Sequence, residues 1–86
     1  MFKVLYGKSV QKDLDKIPLE EATKIRGIIR LLHDEPRPRG SKKLEGKGPF
    51  YRIRQGNFRI IYEISFDRKE VRVVLIGHRK NVYRGI

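Results

Sequence analysis

Phe50-Tyr-Arg-Ile-Arg-Gln-Gly-Asn-Phe-Arg-Ile-Ile-Tyr-Glu-Ile64 is the stretch whose reading decides the fold. Side chains alternate from Tyr51 to Gln55 and again from Phe58 to Ile64, which is the period of two that a half-buried strand requires. Gly56-Asn57 between them suits a two-residue hairpin turn with glycine at the first central position. That loop length fixes the register: Gln55 faces Phe58, Ile53 faces Ile60 and Tyr51 faces Tyr62, giving one largely apolar face. On the other face Arg54 stands opposite Arg59, and Arg52 sits one step along, opposite Ile61. Like charges directly opposite each other destabilise a sheet, by a few tenths of a kcal/mol up to about 1. A chain that accepts this cost has an anion to place there, and phosphate matches the guanidinium fork two oxygens at a time.

Working outward, Phe2-Lys-Val-Leu-Tyr6 reads as a short strand that Gly7 breaks. Ser9 is placed to cap a helix over roughly residues 10–16, where Val10, Leu14 and Ile17 share a face. Pro18 separates it from a second helix, about 19–34, whose start carries Glu20 and Glu21 and whose apolar stripe is Ala22, Ile25, Ile28, Ile29 and Leu32. Two helices in tandem with such stripes cover a sheet. Pro36-Arg-Pro-Arg-Gly40 ends the helix, and Lys42-Lys-Leu-Glu-Gly46 leads into the hairpin as a short strand or loop. Val71-Arg-Val-Val-Leu-Ile76 is the last strong strand, apolar enough for burial on both faces, and Gly77 to Ile86 leaves the sheet. The expected fold is α+β in the order β-α-α-β-β-β-β: an N-terminal strand, a two-helix hairpin and an antiparallel meander, as one domain over residues 1–86.

The chain has 86 residues, 38% hydrophobic content and no cysteine, so one modest core is expected without disulfides or thiolate chemistry. No signal peptide or membrane span is read, which makes the cytoplasm the expected location. The net charge is +11, and it is unevenly spread. Residues 1–35 carry a balance of +1 and residues 36–86 a balance of +10. The sheet half is therefore strongly cationic, a field that attracts polyanions by steering and counterion release.

Glycine-rich phosphate loops, paired carboxylates and a nucleophile elbow are all missing from the sequence. What remains is Arg52, Arg54, Arg59, His78, Arg79 and Tyr83, with Lys42, Lys43 and Lys47 as general RNA attraction. That set suits one task, the stabilisation of a phosphodiester transition state without metal or cofactor. RNA brings its own nucleophile in the 2′-hydroxyl, so a protein need only position the strand and manage two protons. DNA lacks that group.

Leu44-Glu-Gly46, Tyr51-Arg-Ile-Arg54, Phe58-Arg-Ile-Ile-Tyr62 and Ile76-Gly-His-Arg-Lys-Asn-Val-Tyr83 together resemble the RelE/ParE superfamily of toxins from bacterial and archaeal type II toxin–antitoxin systems. The resemblance spans nearly the whole chain, including the two-helix opening. It implies the helix-hairpin-on-sheet fold and, for the RelE branch, a ribosome-dependent endoribonuclease that cleaves messenger RNA and is neutralised by a cognate antitoxin. It further implies that Arg59 and Arg79 stabilise the phosphate, with Arg79 a donor to the leaving 5′-oxygen, and that Tyr83 stacks beside the cut. Arg52 and Arg54 fall where the best-known members carry lysines, one of them a proposed general base. Arginine does not give up its proton, so Arg54 reads as an electrostatic clamp. The base is then open among His78, a carboxylate such as Glu63, and the ribosomal RNA. His78 has the ordinary pKa best suited to the task.

Taken singly, Arg52, Arg54 and Arg59 could be a solvated sheet face paired with Glu63 or Glu45. Three on one face plus Arg79 favour function. Tyr62 alternates with core residues and reads as packing, and His33 as a surface residue favoured by the helix dipole. Two rivals stay open: a ParE-like toxin that binds gyrase without cutting RNA, and a catalytically inactive RNA-binding relative.

Overall fold

Alternation and turn chemistry produce the hairpin expected of them. The computed structural model describes residues 1–46 and 48–82. In chain order the elements are β1 (Lys3–Tyr6), α1 (Val10–Asp15), α2 (Leu19–Leu31), β2 (Lys42–Lys43), β3 (Phe50–Gln55), β4 (Phe58–Ser65) and β5 (Glu70–His78). β3 and β4 pair antiparallel with Tyr51 on Tyr62, Ile53 on Ile60, Arg54 on Arg59 and Gln55 on Phe58. Gly56 takes φ +58° and Asn57 stays out of the positive-φ region, as a turn with glycine first demands.

The five strands form one sheet in the order β1-β5-β4-β3-β2. β2 to β5 are the antiparallel meander. β1 departs from an all-antiparallel sheet, because it pairs parallel with β5 at the edge, Lys3 on Glu70 through Tyr6 on Val73. Its partner lies at the far end of the chain, so no local turn signal announces the direction. β5 is flanked by β1 and β4, as an apolar strand should be, but it is not uniformly buried on both faces. A bulge shifts the register between Ile61–Leu75 and Tyr62–Val73, leaving Val74 as the extra residue. The bulge resets alternation, so Val71, Val73 and Ile76 all join the helix-side core while Arg72 is exposed.

Helices α1 and α2 cover one face of the sheet. Val10 and Leu14 of the first, Ile17 just after it, Ala22, Ile25 and Ile29 of the second, and Leu32 at its cap pack on Ile53, Ile60, Tyr62, Val71, Val73 and Ile76. Burying each large aliphatic side chain contributes roughly 1.5–3 kcal/mol before entropy is subtracted. Ser9 stands at the first helix's cap position but makes no side-chain cap bond. The second helix stops at Leu31, short of 34, because Leu32, His33 and Asp34 donate to carbonyls three residues back and tighten the last turn. His33 is not simply a surface residue. It is partly buried; its Nδ1 donates to the Phe2 carbonyl at 2.9 Å and its carbonyl accepts from the Phe2 N–H at 2.7 Å, tying the strand β1 to the helix end. No described helix is long and apolar enough to cross a membrane.

Candidate nucleic-acid interface

Directly paired residues of antiparallel strands point to the same side of a sheet. Tracing the pairs across β2 to β5 gives the face turned away from the helices as a stack of rows. The first row is Arg54–Arg59–Gly77. The second is Lys42–Arg52–Ile61–Leu75. The third is Phe50–Glu63–Arg72, which Leu5 of β1 extends. Lys42 thus joins the arginines, whereas Lys43 pairs with Tyr51 and belongs to the helix side.

Two apolar residues are buried outside the helix-side core. Ile61 is fully buried yet stands outside the helix-side core. Val82 is also buried outside that core, and a Cβ built on Gly77 would lie 3.6 Å from its side chain. The chain beyond β5 therefore folds back onto the sheet beside the Arg54–Arg59 row. Arg79 N–H donates to the Asn57 carbonyl at 2.7 Å, which ties the exposed turn just past β5 to the hairpin turn.

The guanidiniums differ in how they are held. Arg59 Nη1 donates to the carbonyls of Gly56 at 3.0 Å and Phe58 at 2.9 Å, so its position is fixed by the hairpin turn. Among the described residues no carboxylate lies within ion-pair distance of Arg52, Arg54 or Arg79. Glu63 is paired with Arg72, at 3.7 Å, instead of with the arginine rows. The structure therefore brings Arg52, Arg54, Arg59 and Lys42 together as a cationic surface, with the backbone of Arg79 tied to the hairpin turn at its edge.

His78 is not brought to that surface. It pairs with Phe58 on the helix side, their rings edge to face at 5.9 Å, and it lines a groove with Asp13 of α1 and Lys16 at that helix's cap. Its Nδ1 accepts the Lys80 N–H at 3.2 Å. Lys47 and Tyr83 lie outside the described residues.

Two contributions escaped sequence reasoning. Asp13 Oδ2 accepts the Ile76 N–H at 3.1 Å, closing the edge of β5 where β1 has already ended. Tyr62 is the packing residue expected, stacked on Tyr51 with centroids 5.7 Å apart, and its buried hydroxyl also donates to the Pro36 carbonyl at 2.8 Å. Burial pushes that hydroxyl up from 10.0 to about 12. It anchors the proline-rich loop next to β2.

The family model described as the ParE toxin of type II toxin–antitoxin systems matches residues 4–83. Toxin RelE3 of Methanocaldococcus jannaschii is 38% identical over 89 residues, covering 94% of this chain and 94% of its own length. Among solved structures, the archaeal RelE–RelB complex from Pyrococcus horikoshii superposes with a TM-score of 0.80 at 30% identity, covering 91% of this chain and 94% of the other. The RelB–RelE antitoxin–toxin complex from Methanococcus jannaschii superposes with a TM-score of 0.77 at 29% identity, covering 95% and 98%. A match over nearly all of the chain, with the same helix-hairpin-on-sheet fold, makes it a member of the RelE/ParE superfamily of type II toxin–antitoxin toxins.

Proposed function

We propose that the chain is a RelE-like messenger-RNA interferase that acts on the ribosome. The observation that carries this reading is the row in which Arg54 and Arg59 are direct partners, with Arg52 in the next row and Arg79 tied by its backbone to the hairpin turn. In this reading the three arginines of the face, with Arg79 at its edge, hold a backbone phosphate and its neighbours. In this reading the substrate's 2′-hydroxyl attacks the scissile phosphorus. The P–O5′ bond breaks, and a 2′,3′-cyclic phosphate and a 5′-hydroxyl are left. The guanidiniums stabilise the charge that develops on the non-bridging oxygens, an effect worth several kcal/mol when donors are preorganised. Arg79 supports the departing 5′-oxygen by hydrogen bonding while solvent supplies its proton, and Tyr83 stacks on the base beside it.

The proton acceptor comes from outside the chain in this proposal. Glu63 and Glu70, the carboxylates of the open face, are paired with Arg72 and Arg68, and His78 is on the other side of the sheet. Ribosomal RNA in the decoding site supplies the missing base, which also makes cleavage depend on the ribosome. The neutralising partner in this reading is a cognate antitoxin, the kind of partner that the name of the Methanococcus antitoxin–toxin complex gives that toxin.

The test is to map messenger-RNA 5′ ends in a translation extract with wild type and with the double variant Arg59→Ala/Arg79→Ala. New 5′ ends within codons are expected from wild type and none from the folded variant. Continued cleavage by that variant overturns the reading. The ParE family model favours a second reading, binding of gyrase without RNA cleavage. Blocked DNA supercoiling with intact messages would select it.

A further inference from the structure

The helix side of the sheet carries a groove of its own, where α1 meets the end of β5. Its volume is about 390 Å³, inside the range of roughly 300–1,000 Å³ usual for small-ligand sites. Ile17 and Ile76, both buried, and the partly buried rings of Phe58 and His78, in edge-to-face contact, give it an apolar side. Asp13 and Lys16 give it a charged side. These two are three residues apart, and Lys16 keeps helical dihedrals at the cap, φ −88° and ψ −6°, so they stand as neighbours on one face. No ion pair joins them, and among the described residues neither has an ion-pair partner elsewhere. Asp13 spends Oδ2 on the Ile76 N–H, at 3.1 Å, which leaves Oδ1 and the Lys16 ammonium to meet a ligand.

We infer that this groove binds a free α-amino acid with an apolar side chain. Such a molecule carries its ammonium and its carboxylate on one carbon. A carboxylate and an ammonium side by side on a helix, not spent on each other, meet both groups at once. Asp13 Oδ1 accepts from the ligand's ammonium, and Lys16 donates to its carboxylate, both bonds being of the stronger, ionised kind. A simple acid meets Asp13 as well as Lys16, and a simple amine meets Lys16 as well as Asp13, so each has a like charge against it. The ligand's side chain lies against Ile17, Ile76 and the two rings, where leaving water is favourable in proportion to the apolar area covered. A charged side chain would have to shed its water there. His78, the remaining titratable group of the groove, has its Nδ1 taken by the Lys80 N–H and serves as wall. The inference stands apart from the RNA reading, because Phe58 and His78 face away from the Arg54–Arg59 row.

Amide NMR of the full chain, titrated with leucine and three relatives, tests this. The relatives are isoamylamine, which lacks the carboxylate, isocaproate, which lacks the ammonium, and glycine, which lacks the side chain. Leucine is expected to shift the amides of Asp13, Lys16, Phe58 and His78 saturably and to leave those of Arg52 and Arg54 in place. Each relative binds about tenfold more weakly or worse, as the loss of one hydrogen bond between charged groups or of the apolar contact demands. Lys16→Gln and Asp13→Asn each weaken leucine by about the same factor. Asparagine keeps an acceptor for the Ile76 N–H, and Lys16 is exposed, so neither change removes a bond that the fold uses. Should Asp13→Asn fail to melt cooperatively, Lys16→Gln decides alone. No saturable shift in the groove, equal affinity for isoamylamine or isocaproate, or leucine binding unchanged by Lys16→Gln overturns the inference. Leucine binding by a protein that cleaves no messenger RNA on ribosomes supports it and removes the nuclease reading alone.

Discussion

Arg54 and Arg59 are direct cross-strand partners, and the hairpin turn holds the second of them through two carbonyl bonds to its Nη1. Arg54 is exposed and has no carboxylate within ion-pair distance among the described residues. Removing it relieves repulsion and breaks no bond within the hairpin. Arg54→Ala is expected to raise unfolding stability by a few tenths of a kcal/mol at low ionic strength. The gain shrinks as salt screens the pair. The same variant loses affinity for RNA and shows a shallower salt slope, by about one unit. Thermal melts and anisotropy titrations at three salt concentrations check both. A residue whose loss stabilises the fold and weakens the ligand is held there for the ligand.

Tyr62 gives a pH signature. Its hydroxyl is buried, donates to the Pro36 carbonyl, and is pushed by burial from 10.0 to about 12. The unfolded chain ionises this group from about pH 10, whereas the folded chain keeps it protonated until about pH 12. Stability from this residue is therefore complete below pH 10 and is lost as pH rises through 12, about 2–3 kcal/mol in all. Tyr62→Phe should abolish that part of the alkaline slope, isolating it from the titrating lysines. Near neutrality it should also cost about 1–3 kcal/mol, because the Pro36 carbonyl is left without its donor. Urea melts of both proteins at pH 7, 10 and 11 make the comparison.

The residues that were legible in the sequence are those governed by local rules. Gly56-Asn57 and the two-residue alternation determine the hairpin register pair for pair, so the Arg54–Arg59 row could be read directly. The stripes of α1 and α2 likewise name their buried residues, Val10, Leu14, Ile25 and Ile29 among them. What was not legible depends on distant partners. The parallel pairing of β1 with β5 joins residues nearly seventy positions apart, as Lys3 with Glu70. The bulge at Val74 leaves no mark beyond an apolar run, because Val-Val-Leu-Ile fits either alternation. The side on which His78 lies follows from that bulge, which turns it to the helix side with Ile76 and away from the arginine rows.

The bulge also explains Gly7. A Cβ there would lie 3.2 Å from the Val73 carbonyl oxygen and 3.4 Å from Val74 Cα, and the Gly7 N–H donates to that same oxygen at 2.7 Å. The neighbours are backbone atoms of the bulge, which cannot swing aside as a side chain can. Gly7→Ala is expected to destabilise by about 1–3 kcal/mol, as overpacking does. The loss should appear as a lower melting temperature, with RNA affinity per folded molecule unchanged. An alanine tolerated without loss would show that the bulge yields.

Asp13 links the helix hairpin to the cationic surface. β1 ends at Tyr6, so β5 has no strand beside it at Ile76, and Asp13 Oδ2 takes the N–H that would otherwise be left over. Two residues beyond Ile76 the strand ends, and Arg79 follows with its own backbone bond to Asn57. Asp13→Ala leaves the Ile76 N–H without its acceptor, at a cost of about 1–3 kcal/mol. Hydrogen exchange at Ile76 should quicken correspondingly, while exchange at Ile53 and Ile60 in the hairpin changes only through global stability. Asp13→Asn keeps a carbonyl oxygen in place and should restore most of the protection. If Arg79 is positioned by the end of β5, Asp13→Ala also lowers RNA affinity although Asp13 lies on the helix side, and Asp13→Asn recovers it. Recovery by asparagine separates the effect of the hydrogen bond from that of the lost negative charge, since both variants remove the charge and only one removes the acceptor.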